Sequence, residues 1–156
     1  MAQVRHQDET RCVWLADSFA GVPRPDTENY KADKSIAMRF DLWAFILAVP
    51  ETEVRANFER YGLLDDRVRF LPGWFKDTLP DAPIDRLALL RLDGDLYEST
   101  IQALEALYPR LSPRGFCIID DYVIKACRQA VADYRAKNGI SAEIIDIDGV
   151  GVFWHK

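Results

Sequence analysis

Soft metal ligands are scarce in this chain. It has two histidines, His6 and His155, both near its ends, and three scattered cysteines, Cys12, Cys117 and Cys127. An odd, dispersed cysteine set suggests neither a disulfide framework nor a zinc site. A reduced, cytoplasmic setting is expected. No apolar run approaches the roughly 20 residues that a membrane helix needs, so no membrane partner is expected. The opening residues, MAQVRHQDETR, contain no apolar stretch of the kind a secretion signal carries. Positive charge is in deficit, with 20 Lys and Arg against 25 acids and a net charge of -5. Such a chain has no general attraction for phosphate backbones, which excludes nucleic acid as an expected partner. A GxxxxGK(S/T) phosphate loop is missing, and no lysine stands at a strand end where a phosphoryl-accepting receiver domain would need one. No glycine-rich loop precedes Val13.

What is present is a globular composition. The 156 residues are 49% hydrophobic, enough for one domain with a real core. Strand and helix patterns alternate. Residues 13–19 (VWLADSF) form a short apolar run, followed by an irregular Gly/Pro-rich loop over 21–26. Residues 36–49 predict a helix with Ile36, Phe40, Trp43 and Leu47 on one face. Pro50 breaks it, and 51–61 restart a helix with Val54 and Phe58 inward and Gly62 at the stop. Residues 68–74 (VRFLPGW) read as a second strand running into a turn. Residues 87–92 (LALLRL) are a third, expected to be buried on both faces of a parallel sheet. A helix follows over 97–108, with Ile101, Leu104 and Tyr108 on one side, and then a fourth strand over 115–119 (GFCII). Residues 123–138 are a helix with Ile124, Cys127, Val131 and Tyr134 inward and Gly139 as its cap. Residues 142–147 and 150–154 read as a closing antiparallel pair turned at Asp148-Gly149. This alternation implies an α/β three-layer architecture with a mainly parallel sheet. In such sheets ligands collect at the carboxyl ends of the strands.

Three of these strands end in acids: Asp17, then Asp93 with Asp95, then Asp120 with Asp121. A single Asp in such a place is most simply the cap of the next helix. The Asp120–Asp121 pair weakens that reading, because one cap needs one side chain. The whole set weakens it further, because like charges converging on a crevice repel unless a cation or a donor-rich ligand lies among them. A hard divalent cation fits Asp93, Asp120 and Asp121, since Mg²⁺ prefers carboxylate and water oxygens. Asp17 suits a different partner, the hydroxyls of a ribose, as acids at the end of an early strand often do.

The motifs resemble those of a known family. YGLLDDRVRFLPGWFKDTLP (61–80), RLDGDLYEST (91–100) and IIDDY (118–122) are similar to segments of the macrocin O-methyltransferase (TylF) family. VWLADSFAGVP (13–23) is similar to its second-strand segment, and the likeness runs from about Cys12 onward. The resemblance implies a Rossmann-like class I methyltransferase fold that uses S-adenosylmethionine and Mg²⁺. Its acceptors are hydroxylated small molecules, usually the sugars of glycosylated natural products. It makes Asp93, Asp120 and Asp121 the metal ligands and Asp93 or Asp95 the general base. Asp17, with Ser18 beside it, would hold the cofactor's ribose, and Gly73 and Trp74 would lie near the adenine. Tyr97 and Tyr122 would border the substrate pocket, or serve equally as core packing.

Two departures stand out. Arg114 occupies the place of a second glycine in a Pro-Gly-Gly turn, where left-handed backbone would be strained. The family's first strand and glycine-rich cofactor loop have no counterpart before Val13. The expectation is therefore a partial methyltransferase domain over 1–156, with 1–11 flexible, lacking the first strand. The 13–19 and 87–92 strands must then pair directly or leave edges open, and open edges favour a homo-oligomer. An inactive homologue paired through such an edge is the alternative to an active enzyme.

Overall fold

The computed structural model describes residues 11–38, 40, 44 and 46–156. Much of the helix expected over 36–49, including Trp43, lies outside the described residues. A 3-10 turn at Lys31–Asp33 leads into a short helix α1, Lys34–Ala37. The other elements are β1 (Val13–Asp17), α2 (Glu51–Arg60), β2 (Val68–Pro72), α3 (Phe75–Thr78) and β3 (Leu87–Leu92). Then come α4 (Tyr97–Leu107), a 3-10 turn at Tyr108–Arg110, β4 (Leu111–Ile119), α5 (Lys125–Lys137), β5 (Ile145–Asp146) and β6 (Val152–His155).

The strands form two ladders. β1 and β2 pair in parallel, from Val13 opposite Val68 to Asp17 opposite Pro72. The second sheet has the order β3-β4-β6-β5. β3 and β4 run parallel, while β6 lies antiparallel between β4 and β5. β1 and β3 do not pair with one another, and each has an edge without a ladder partner among the described residues.

Helices α4 and α5 cover the larger sheet because each carries an apolar stripe. Ala103, Leu104 and Leu107 of α4, and Ala126, Cys127, Ala130, Val131 and Tyr134 of α5, are all buried. They meet Leu90, Leu92, Cys117, Ile119, Val152 and Trp154 from the strands. Trp154 is fully buried, and its indole N–H donates to the Tyr108 hydroxyl at 3.2 Å. Trp14, Ala16 and Leu71 of the smaller ladder pack against this same core, which fixes the two sheets together.

Three expectations change in detail. β3 is not buried on both faces: Leu90 and Leu92 are, but Leu87 and Leu89 are half-covered and Arg91 is exposed. β4 begins at Leu111 rather than Gly115, because an irregularity lets Leu87 face Leu111 while Leu89 faces Phe116. Arg114 lies in that bulge with φ +65°. The closing hairpin has shorter strands and a wider turn than a two-residue loop. The Asp148 carboxylate accepts the N–H groups of Val150 and Gly151 at 3.0 and 2.9 Å, and Ile147 N–H donates to Gly151 O at 3.0 Å. Asp148 spends its side chain on the turn backbone, which holds the chain open over 147–151.

Candidate active site at the carboxyl ends of the strands

The parallel pairing of β3 with β4 sets their carboxyl ends side by side, with Leu92 opposite Ile119. The loops that follow carry Asp93 and Asp95 from one strand and Asp120 and Asp121 from the other. Asp121 is the electrostatic centre of this rim. Burial first, then the carboxylates of Asp95 and Asp93, push its carboxyl up to about 7. Asp95 N–H donates to Asp121 Oδ2 at 3.3 Å, which links the two loops directly. Asp95 itself is raised above the ordinary carboxylate range by burial and by Asp93. Its backbone is left-handed, φ +54°. Such strain in a non-glycine residue recurs at functional sites, although Asp tolerates it better than most.

Asp120 turns elsewhere. Arg91 Nη2 lies 2.5 Å from Asp120 Oδ2 and 3.2 Å from Asp93 Oδ2, so one guanidinium ties the two strand ends together. The expected metal set is thus gathered on one rim but does not close on a single point. No group of three His, Cys, Asp or Glu side chains among the described residues is arranged to hold a metal ion. The donor chemistry of the candidates suits a hard cation, since all of them offer carboxylate oxygens.

The other expected residues meet at the carboxyl ends of β1 and β2. Gly73 N–H donates to Asp17 O at 2.9 Å, which brings Asp17, Ser18, Gly73 and Trp74 together. Asp17 Oδ1 accepts Phe19 N–H at 2.7 Å. A carboxylate has two oxygens and about four acceptor sites, so this turn does not exhaust it. Ser18 Oγ donates to Gly21 O at 2.6 Å and accepts Ala20 N–H at 3.0 Å, so its hydroxyl is spent on the loop. Gly73 has φ +135°, and a β-carbon there would meet Thr78 Cγ2 at 2.6 Å. This position therefore needs glycine for the close approach of its own turn.

Tyr97 opens α4, just after the Asp95 loop, and its side chain is engaged. Its ring centroid lies 5.8 Å from that of Tyr30, and its hydroxyl donates to Asp133 Oδ2 at 3.0 Å. Burial and that carboxylate push the phenol up to about 12. Tyr122 packs against the hydrophobic core. Two open clefts, of about 460 and 470 Å³, are lined respectively by residues around Phe75 and Gln102 and around Asp85 and Pro109. Neither takes in an acid of the rim.

Two residues of the site escaped the sequence reading. Arg91 carried a signal, a lone cation in an otherwise aliphatic strand. Asp33 carried none. It is fully buried, and its carboxylate accepts Tyr97 N–H at 2.6 Å and Glu98 N–H at 3.1 Å. It caps α4 from 64 residues away.

Acid-tipped parallel strands under packed helices are arranged here as in the class I methyltransferase fold. CalS11, a calicheamicin methyltransferase, superposes with a TM-score of 0.73 at 21% identity, over 99% of this chain and 65% of that one. The chain belongs to the macrocin-O-methyltransferase (TylF) family, whose profile matches residues 2–156. The O-methyltransferase NovP is similar at 53% identity with a TM-score of 0.91, over 97% of this chain and 62% of that one. A tetracenomycin 4'-O-methyltransferase of Streptomyces olivaceus, named for a dimethoxy-rhamnosyl tetracenomycin substrate, is 64% identical over 149 residues, 96% of this chain and 56% of that enzyme. The mycinamicin III 3''-O-methyltransferase of Micromonospora griseorubida is 53% identical over 94% of this chain and 58% of that enzyme. The chain thus spans 56–58% of the length of these curated relatives.

Proposed function

We propose that this chain serves an O-methyltransferase that moves a methyl group from S-adenosylmethionine to a hydroxyl on a glycosylated natural product, in the cytoplasm. The observation that carries this reading is the acid rim joining the ends of β3 and β4, with Asp121 lifted to about 7 by burial and then by its acidic neighbours. The 64% identical relative is named for a rhamnosyl-bearing tetracenomycin, and this supports a sugar-linked acceptor here.

The roles divide by strand. Asp17, with Ser18 shaping its turn, accepts the ribose hydroxyls of the cofactor, and Gly73 and Trp74 flank the adenine. Asp93, Asp120 and Asp121 would hold Mg²⁺. When bound, the cation would acidify and position the acceptor hydroxyl. Asp93 or Asp95 takes the proton, and Asp95, whose carboxyl burial and then Asp93 raise above the ordinary range, is the stronger base for it. Tyr97 and Tyr122 would border the acceptor. Calorimetry with S-adenosylmethionine tests the first role. Asp17→Ala should weaken cofactor binding roughly tenfold, the scale of one lost charge-assisted hydrogen-bonded contact. Unchanged cofactor affinity would remove Asp17 from the site.

A second reading, an inactive homologue associated through a sheet edge, is favoured by one observation: β1 and β3 each keep an unpaired edge among the described residues. Size-exclusion chromatography beside the same calorimetry separates the two. A dimer without cofactor affinity supports this second reading, and a cofactor-binding chain supports the first.

A further inference from the structure

Arg91 is the one charged residue of β3, in the sequence LALLRL. Its Nη2 alone reaches both strand ends, at 3.2 Å from Asp93 Oδ2 and 2.5 Å from Asp120 Oδ2. Those carboxylates are two of the three assigned above to Mg²⁺. A nitrogen held between two carboxylate oxygens stands where a cation shared by them would stand. We propose that Arg91 is the resident counter-ion of the rim. It bridges Asp93 and Asp120 while no metal is bound, and must release both before a divalent cation can be held. The inference rests on the metal reading above.

The physical case has three parts. Two carboxylates brought together by adjacent strands repel one another, and a guanidinium, charged at every accessible pH, removes that repulsion and keeps them spaced. The Arg91 side chain is 40% exposed, so it can swing into water without creating a buried unpaired charge. Exposed ion pairs are weak, so a divalent ion with several carboxylate ligands can displace this one. Arg91 also explains why the acids share a rim without converging on one point. Asp120 is drawn toward the guanidinium, while Asp121 leans on the loop of Asp95.

The test uses Mg²⁺ itself, followed by calorimetry and by side-chain guanidinium NMR of the whole chain. In the unaltered protein, saturating Mg²⁺ should move the Arg91 guanidinium signals to the fast-exchanging positions of a free arginine. Arg91→Gln should tighten Mg²⁺ binding roughly tenfold, the scale of removing one nearby positive charge at a partly exposed site. Arg91 signals that stay put while Mg²⁺ saturates would overturn the proposal and leave the metal site standing. So would an Arg91→Gln chain that binds Mg²⁺ no better than the unaltered one. If neither chain binds Mg²⁺ saturably, the metal assignment falls and this role for Arg91 falls with it.

Discussion

Asp121 and Asp33 are two raised carboxyls with opposite consequences. Asp121 sits among acids and is pushed up to about 7. The folded chain then holds a proton that the unfolded chain gives up near 3.8. Its contribution to stability is whole below that value and is lost as pH rises through about 7. Metal-free protein should therefore lose thermal stability between about pH 4 and pH 7, and Asp121→Asn should flatten that slope; an equally steep slope in the variant would show that the burden lies on another group. Asp33 is fully buried but receives two N–H groups from the start of α4. Burial raises its carboxyl and those two hydrogen bonds lower it, with burial the larger cause. Asp33→Ala would orphan both donors and should cost about 2–4 kcal/mol by chemical denaturation, with Asp33→Asn recovering part of the loss. A loss under about 0.5 kcal/mol would mean that water replaces the carboxylate without penalty.

Among the elements, β4 carries the clearest local cost. Gly115 must be glycine, because a β-carbon there would meet Leu111 Cδ1 and Ser112 O at 2.8 Å. Arg114 beside it takes φ +65° while its N–H donates to Lys156 O at 2.7 Å. The closing strand thus holds a non-glycine residue in a left-handed turn. Arg114→Gly should stabilise the protein by roughly 0.5–1 kcal/mol, the difference between relieved strain and added chain entropy. A destabilised variant would mean that the Arg114 side chain does more than the backbone requires. This position was legible in advance, because a Pro-Gly-Gly pattern broken by arginine marks its own backbone demand. The helix ends were legible too. Gly62 N–H donates to Glu59 O and Leu63 N–H to Phe58 O, the paired bonds expected where glycine stops a helix. The half-exposed face of β3 was not legible, because an apolar hexamer looks the same whether one or both faces are covered. Nor was Asp33, whose partners depend on how the chain returns after the intervening strands and helices.

At the scale of the molecule, one core serves both ladders, and it places two groups of site residues at the carboxyl ends of their strands. The period and content of the strands were enough to foresee this, since acids that end parallel strands must share one edge of the fold. How far those acids converge was not foreseeable, because that depends on side-chain partners such as Arg91. The central claim is that the rim beyond β3 and β4 holds one hard cation. Titration of Mg²⁺ into the chain, followed by calorimetry, tests it directly. The account predicts a single saturable site that Asp93→Ala abolishes and Asp17→Ala leaves intact. An Asp93→Ala chain that binds Mg²⁺ as well as the unaltered protein would contradict it.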